Sequence, residues 1–182
     1  MSNPRENKLR LFFALWPGAA GRAALAQWQP PLQELCGGKA MQPQTLHCTL
    51  VFLGEVVERR LEALKLAAQE ATFCPFRLEL TGGHYWGHNH IVYAAPDRTP
   101  PLLTELVHTL ESGLRRHRFR FERRPYKPHV TLLRHAQWSD RPLPEMETVR
   151  WQVRRFALVQ SLSGAEGAHY RALAHFGVAE PE

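Results

Sequence analysis

Short apolar runs alternate along the chain with longer stretches in which apolar positions recur at helical spacing. Leu11 to Trp16 is a continuous, aromatic-rich run ended by Pro17-Gly18, the pattern of a buried strand. Ala, Leu and Gln dominate from about Ala19 to Leu35, and Cys36-Gly37-Gly38 supplies a glycine stop, so a helix is expected there, split at Pro30-Pro31. Leu46 to Leu53 reads as a second strand closed by Gly54. Val57 to Ala71 places Leu61, Leu64 and Leu66 among Glu, Arg and Lys as an amphipathic helix.

The same order then returns. Phe76 to Leu80 alternates, Thr81-Gly82-Gly83 reads as a turn, and Ile91 to Ala95 is a strand ended by Pro96. Leu102 to His117 carries Leu103, Leu106, Val107, Leu110 and Leu114 at helical spacing, and a strand around Val130 to Leu133 follows. The unit from Leu11 through a helix to His47 and the unit from Ile91 through a helix to His129 have nearly equal lengths. Both end on His-x-Thr-Leu, which predicts an internal duplication. Beyond a polar, proline-rich connection from Gln137 to Pro144, Val153 to Ser161 and Tyr170 to Phe176 read as strands around a Gly164 to Gly167 turn. They are expected to complete the first lobe's sheet or to bridge the lobes.

The 182 residues fit one domain of two lobes, since domains commonly run to about 100–200 residues. With 44% apolar and 22% charged residues the chain can build a core and lacks the signature of disorder. A net charge of +6 favours an anionic partner such as nucleic acid, although a dispersed basic surface would give the same number. The three cysteines, Cys36, Cys48 and Cys74, lack metal-ribbon spacing and form an odd set, which points to a reducing cytoplasm. The polar start from Met1 to Arg10 is no secretory signal, and no apolar run approaches the roughly 20 residues of a membrane span. A soluble monomer is expected.

In a strand, residues i and i+2 share a face, so His47 pairs with Thr49 and His129 with Thr131, while Cys48, Leu50, Val130 and Leu132 point the other way. Each strand would present an imidazole beside a hydroxyl and anchor itself in the core. Acid–base cleavage of an ester needs an activated water, a protonated leaving oxygen and stabilised charge on the remaining oxygens. Two such motifs supply all three without a metal or cofactor. His129 is assigned as proton acceptor and His47 as proton donor, with Thr49 and Thr131, the candidate phosphate-binding residues of the resemblance given next, on the charged oxygens; pseudo-symmetry leaves the direction of proton transfer open. Either histidine could instead be a hydrogen-bonded packing residue.

These residues carry a family resemblance. Arg10 to Leu15, Leu46-His47-Cys48-Thr49-Leu50-Val51-Phe52-Leu53-Gly54-Glu55-Val56 and Pro128-His129-Val130-Thr131-Leu132-Leu133-Arg134 resemble the first strand and the two motif blocks of the 2H phosphoesterases. The resemblance is closest to the bacterial RNA 2′,3′-cyclic phosphodiesterases, formerly called 2′-5′ RNA ligases. It implies an α+β, bilobal, pseudo-twofold duplication of a β-α-β-α-β unit, with mainly antiparallel sheets lining a central cleft. One lobe would span about 10–75 plus the C-terminal strands, the other about 76–150. The implied activity is hydrolysis of a terminal 2′,3′-cyclic phosphate to a 2′-phosphate, with reversible 2′-5′ ligation as a further possibility. RNA ends, nucleoside 2′,3′-cyclic phosphates and nucleotides are the implied ligands. The resemblance also implies that Arg134 holds phosphate, whereas strand parity from Thr131 puts it on the opposite face unless the strand ends or bulges.

Three features compete. His84, His88 and His90 could bind a metal if His88 and His90 share a strand face, which would make the chain a metal-dependent hydrolase. Tyr85 or Trp86 could stack a base. Arg115 to Arg124 interleaves cations with Phe119 and Phe121, either as an RNA-tracking surface or as a basic helix end with its rings packed inward, and Arg150-Trp151 with Arg154-Arg155 repeats the ambiguity. A basic RNA-end-binding protein without turnover is the alternative from another class.

Overall fold

A computed structural model describes residues 6–138 and 140–179. The first five residues of the polar start and Ser139 of the proline-rich connection lie outside that description. In chain order the elements are strand β1 (Lys8–Leu15), helix α1 (Ala19–Cys36), β2 (Lys39–Ala40), β3 (Cys48–Val57), α2 (Leu61–Gln69), β4 (Phe76–Leu80), β5 (Gly82–Trp86), β6 (Ile91–Ala95), α3 (Pro101–Arg116), β7 (Val130–Arg134), β8 (Val149–Val153), β9 (Arg155–Gly164) and β10 (Gly167–Gly177).

One sheet runs in the order β10-β9-β1-β3-β7-β6-β5, with β2 on the end of β7; β4 and β8 form a separate two-stranded sheet. All pairings are antiparallel. In each half a strand, a helix and an antiparallel partner recur as β1-α1-β3 and β6-α3-β7. The two inner strands β3 and β7 meet at a single residue pair, Cys48 with Val130. The C-terminal strands β9 and β10 continue the sheet outward from β1.

The helices bury one face each against this sheet. α1 buries Leu25, Trp28, Gln29, Leu32 and Cys36, and α3 buries Leu103, Leu106, Val107, Leu110 and Leu114. The α2 and α3 backbones approach so closely at Gly113 that a Cβ there would lie 2.8 Å from the Ala67 carbonyl oxygen. The cores beneath the two halves are continuous, from Leu11, Phe13 and Leu15 to Leu132 and Leu133.

Several expectations change. Pro30 and Pro31 do not split α1. The burial of Trp28, Gln29 and Leu32 around them, together with the Gln29 side-chain bonds to the Met41 and Leu132 carbonyls, holds the helix where propensity alone would break it. Gly54 does not close β3, which continues to Val57 because Gly54 to Val57 still pair with β1; α2 therefore starts only at Leu61. Gly82-Gly83 is not a turn. It pairs with Ala94 and Ala95, and the hairpin turns instead over residues 87–90. β8 was not expected: it follows the polar connection and takes in the Arg150-Trp151 pair read as a basic cluster, although Val149, Trp151 and Val153 alternate and are buried.

Candidate active site

The Cys48–Val130 pair places the two motifs. Across an antiparallel pair the flanking residues lie about 5 Å apart, so His47 comes beside Thr131 and Thr49 beside His129. Cys48 and Val130 are fully buried beneath, and all four chemical side chains line the open face. The histidines sit one residue before the strands begin. There each ring turns back on its own chain: His47 Nδ1 lies 2.7 Å from the Thr45 carbonyl and His129 Nδ1 lies 2.8 Å from the Lys127 carbonyl. A carbonyl only accepts, so each Nδ1 carries the proton and each Nε2 is left for a ligand. Tyr126 locks the seam from below, donating to the Thr49 carbonyl at 3.2 Å and touching Cys48 Sγ at 3.5 Å.

Aromatic rings cage both imidazoles. Trp16 stacks on His47 at 4.7 Å, with Tyr170 edge-on at 5.1 Å and Phe12 at 5.2 Å. Trp86 and Tyr93 meet His129 edge-on at 4.6 and 5.6 Å. Loss of water lowers the His47 pKa from 6.5 to about 4, with the nearby His129 and Arg134 adding to the effect against the Thr45 bond. Burial also lowers that of His129, and Arg124 adds to it. Both rings are therefore neutral at pH 7 in the free protein, and an anion between them raises both pKa values.

Both motifs share a second device. β3 slips by one residue against β1 between Val51 and Thr49, bulging Leu50; β7 slips against β6 between Leu133 and Thr131, bulging Leu132. Consecutive residues, Leu50 with Val51 and Leu132 with Leu133, are then buried together, and the strand's parity flips. Phe52 and Arg134, each three residues after a motif threonine, emerge on the cleft face. The carbonyl of the bulged Leu132 accepts from Met41 N at 2.9 Å and Gln29 Nε2 at 3.0 Å. Gly38, at φ +85, presses on the strand end, where a Cβ would come 2.5 Å from the Arg134 carbonyl.

The result is a cleft of about 480 Å³ containing His47, Thr49, His129, Thr131 and Arg134, rimmed by Arg10, Ser161 and Tyr170. A groove sharing Thr49, His129, Thr131 and Arg134 continues toward Trp86, His88, Arg124 and Lys127. Two neutral imidazoles, two hydroxyls and a guanidinium around one space can hold a phosphoryl group and move a proton on either side of it.

The family model described as the 2′-5′ RNA ligase superfamily matches residues 17–165. A Thermus thermophilus protein named RNA 2′,3′-cyclic phosphodiesterase is 33% identical, covering 93% of this chain and 90% of its own, and one of that name from Escherichia coli is 33% identical over 75% of each. The chain belongs to the 2′-5′ RNA ligase superfamily. The crystal structure of E. coli LigT complexed with 3′-AMP superposes with a TM-score of 0.84 at 28% identity, covering 96% of this chain and 100% of that one. Others of that protein are complexed with NADP+ and with ATP. These superfamily members share the mixed, mainly antiparallel fold described above.

Other candidates take different places. His84 stacks on Tyr93, His88 lies in the hairpin turn, and His90, at φ 55, bonds Tyr85 on the opposite face, so the three do not converge. Among the described residues no three His, Cys, Asp or Glu come together as a metal site. Trp86 faces the cleft; Tyr85 faces away and donates to the Ala136 carbonyl. In the basic segment Arg115 pairs with Glu111, Arg116 and His117 with Glu70, and Arg60 covers the buried Phe119, so the start of the stretch is helix-end structure with Phe119 packed inward. Arg124 reaches the groove. Among the described residues no helix is long and apolar enough to cross a membrane. The aromatic cages were missed, because Phe12 and Trp16 read as ordinary members of a core strand.

Proposed function

We propose that this superfamily member hydrolyses RNA 2′,3′-cyclic phosphates to 2′-phosphates without a metal, using His129 as base and His47 as acid. The observation that carries the reading is the mirrored pair of imidazoles, each oriented by its own backbone carbonyl and both lining one cleft. His129 Nε2 takes a proton as water oxygen bonds to phosphorus. The bond from phosphorus to the 3′-oxygen breaks, and His47, protonated in the presence of the bound anion, gives its Nε2 proton to that oxygen. Thr49, Thr131 and Arg134 hold the non-bridging oxygens. With an RNA 5′-hydroxyl in place of water, and the acid and base acting in the same way, the product is a 2′-5′ linkage.

The deeper depression of the His47 pKa favours the reversed assignment, with His47 as base. A nucleoside phosphodiester with a p-nitrophenol leaving group separates the two, because a good leaving group needs no acid. Replacement of the acid by alanine is then rescued, and replacement of the base is not. The activity itself is tested by incubating the protein with a nucleoside 2′,3′-cyclic phosphate, with and without chelator. Chelator-resistant formation of the 2′-phosphate is expected. Loss of turnover with chelator, or tight binding of RNA ends with no turnover, sinks the reading. The nucleotide complexes of E. coli LigT support nucleotides as additional ligands of this cleft.

A further inference from the structure

The open face continues past Trp16 into a second cavity of about 480 Å³, walled by Trp16, Arg22, Trp151, Arg154, Arg155 and His175. Strand register places it on the same side of the sheet as the cleft. Arg10, Ser161 and Tyr170 form one cross-strand row, Phe12, Val159 and Ala172 the next, and Ala14, Ala157 and His175 the row after that, at the second cavity. The indole stacked on His47 is thus also a wall of this cavity.

Its chemistry differs from that of the groove on the other side. The groove beyond His129 mixes Arg124 and Lys127 with Glu111 and Glu122, and Arg124 is paired with Glu122 at 3.0 Å. The cavity beyond Trp16 has no carboxylate among its described lining residues. Arg22 is fixed at its wall by one bond to the Pro17 carbonyl at 3.0 Å. The Nε of Arg154 is buried without a hydrogen-bond partner. α1 begins at the same place, with no side chain capping its first turn, which adds partial positive charge. Guanidinium groups beside two indoles suit a phosphodiester next to a base.

We propose that this cavity binds the RNA nucleotide immediately upstream of the terminal cyclic phosphate, its phosphodiester on Arg22 and Arg154 and its base against Trp16. The site makes the protein a processor of RNA chains in preference to free cyclic nucleotides. This rests on the proposed function for its orientation: the cyclic phosphate lies between His47 and His129, and the chain leaves across Trp16.

The test compares kcat/KM for a short oligoribonucleotide ending in a 2′,3′-cyclic phosphate with kcat/KM for a nucleoside 2′,3′-cyclic phosphate. The same oligonucleotide carrying a terminal 2′-phosphate serves as a binding probe by fluorescence anisotropy. Wild type prefers the oligonucleotide, and Arg22→Gln or Arg154→Gln lowers the preference about tenfold each, the loss of one charge-assisted contact. Anisotropy shows each variant binding less tightly, with a log–log salt slope shallower by about 0.7, as for one phosphate contact to a single strand. Arg22→Lys retains part of the preference and reports on the charge without removing it. An unchanged preference together with unchanged anisotropy overturns the inference. So does ATP displacing the oligonucleotide without affecting nucleoside turnover, which makes the cavity a free-nucleotide site. If no cyclic phosphate is hydrolysed, the proposed function fails, and the anisotropy series still decides this site.

Discussion

His47 is the group whose protonation the fold opposes most strongly, so it offers the sharpest test. Its ring leaves water for a cage of Trp16, Phe12 and Tyr170, and its pKa falls from 6.5 to about 4. At 1.36 kcal/mol per unit this is about 3 kcal/mol of preference for the neutral ring, and about 2 kcal/mol once the solvent-facing side of the ring is counted. The folded pKa lies below the unfolded one, so the unfolded chain takes up the proton first as pH falls. The stabilisation is complete above about pH 6.5 and is lost progressively toward pH 4. Urea unfolding at pH 7.5 and pH 4.5 measures it. Wild type is expected to lose about 2 kcal/mol more between these values than His47→Asn, and NMR titration of the His47 ring places its midpoint well below 6.5. Adding a nucleoside 2′-phosphate raises that midpoint, because the anion stabilises the imidazolium. Equal acid losses in both proteins, or an ordinary midpoint without ligand, refute the link between the cage and the charge state.

Four more outcomes follow from the geometry. Arg134→Ala lowers kcat/KM on a cyclic phosphate about 10²-fold, as loss of a donor to a charged phosphoryl oxygen does, and leaves the unfolding midpoint nearly unchanged. Gln29→Leu removes both bonds from its side chain to the Met41 and Leu132 carbonyls; it costs about 1–3 kcal/mol in urea unfolding and weakens inorganic phosphate binding as the bulge relaxes. Gly38→Ala, blocked by the Arg134 carbonyl and strained at φ +85, lowers the melting temperature and reduces activity together. The kcat/KM profile against pH is bell-shaped, with its acid limb lost in a variant that retains only the general acid.

The shared face of the motif side chains was legible because period-two alternation is a local property: His47 with Thr49 and His129 with Thr131 need only that each segment be extended. The duplication was legible from the order of elements. Arg134 was not assignable from the chain alone, since its face depends on a one-residue slip at Leu132, a residue whose carbonyl is bonded by Gln29 and Met41 from distant positions. Trp16 and Trp86 were ambiguous for a related reason. An aromatic ring in a strand has the same sequence signature whether it packs on leucine or on an imidazole of the cleft. β8 escaped because its buried Val149, Trp151 and Val153 are interleaved with Arg150 and Gln152, which resemble a surface cluster until β4 is known to lie beside them.

The paired bulges at Leu50 and Leu132 also break a symmetry. The same slip in the same motif brings a residue of each half to the same relative place, but one half delivers the phenyl ring of Phe52 and the other the guanidinium of Arg134. A palindromic backbone thereby acquires a direction: a ligand turned end for end in the cleft would exchange the ring for the cation. A duplicated scaffold thus presents unlike side chains at one matched position, and the two ends of its cleft are not equivalent.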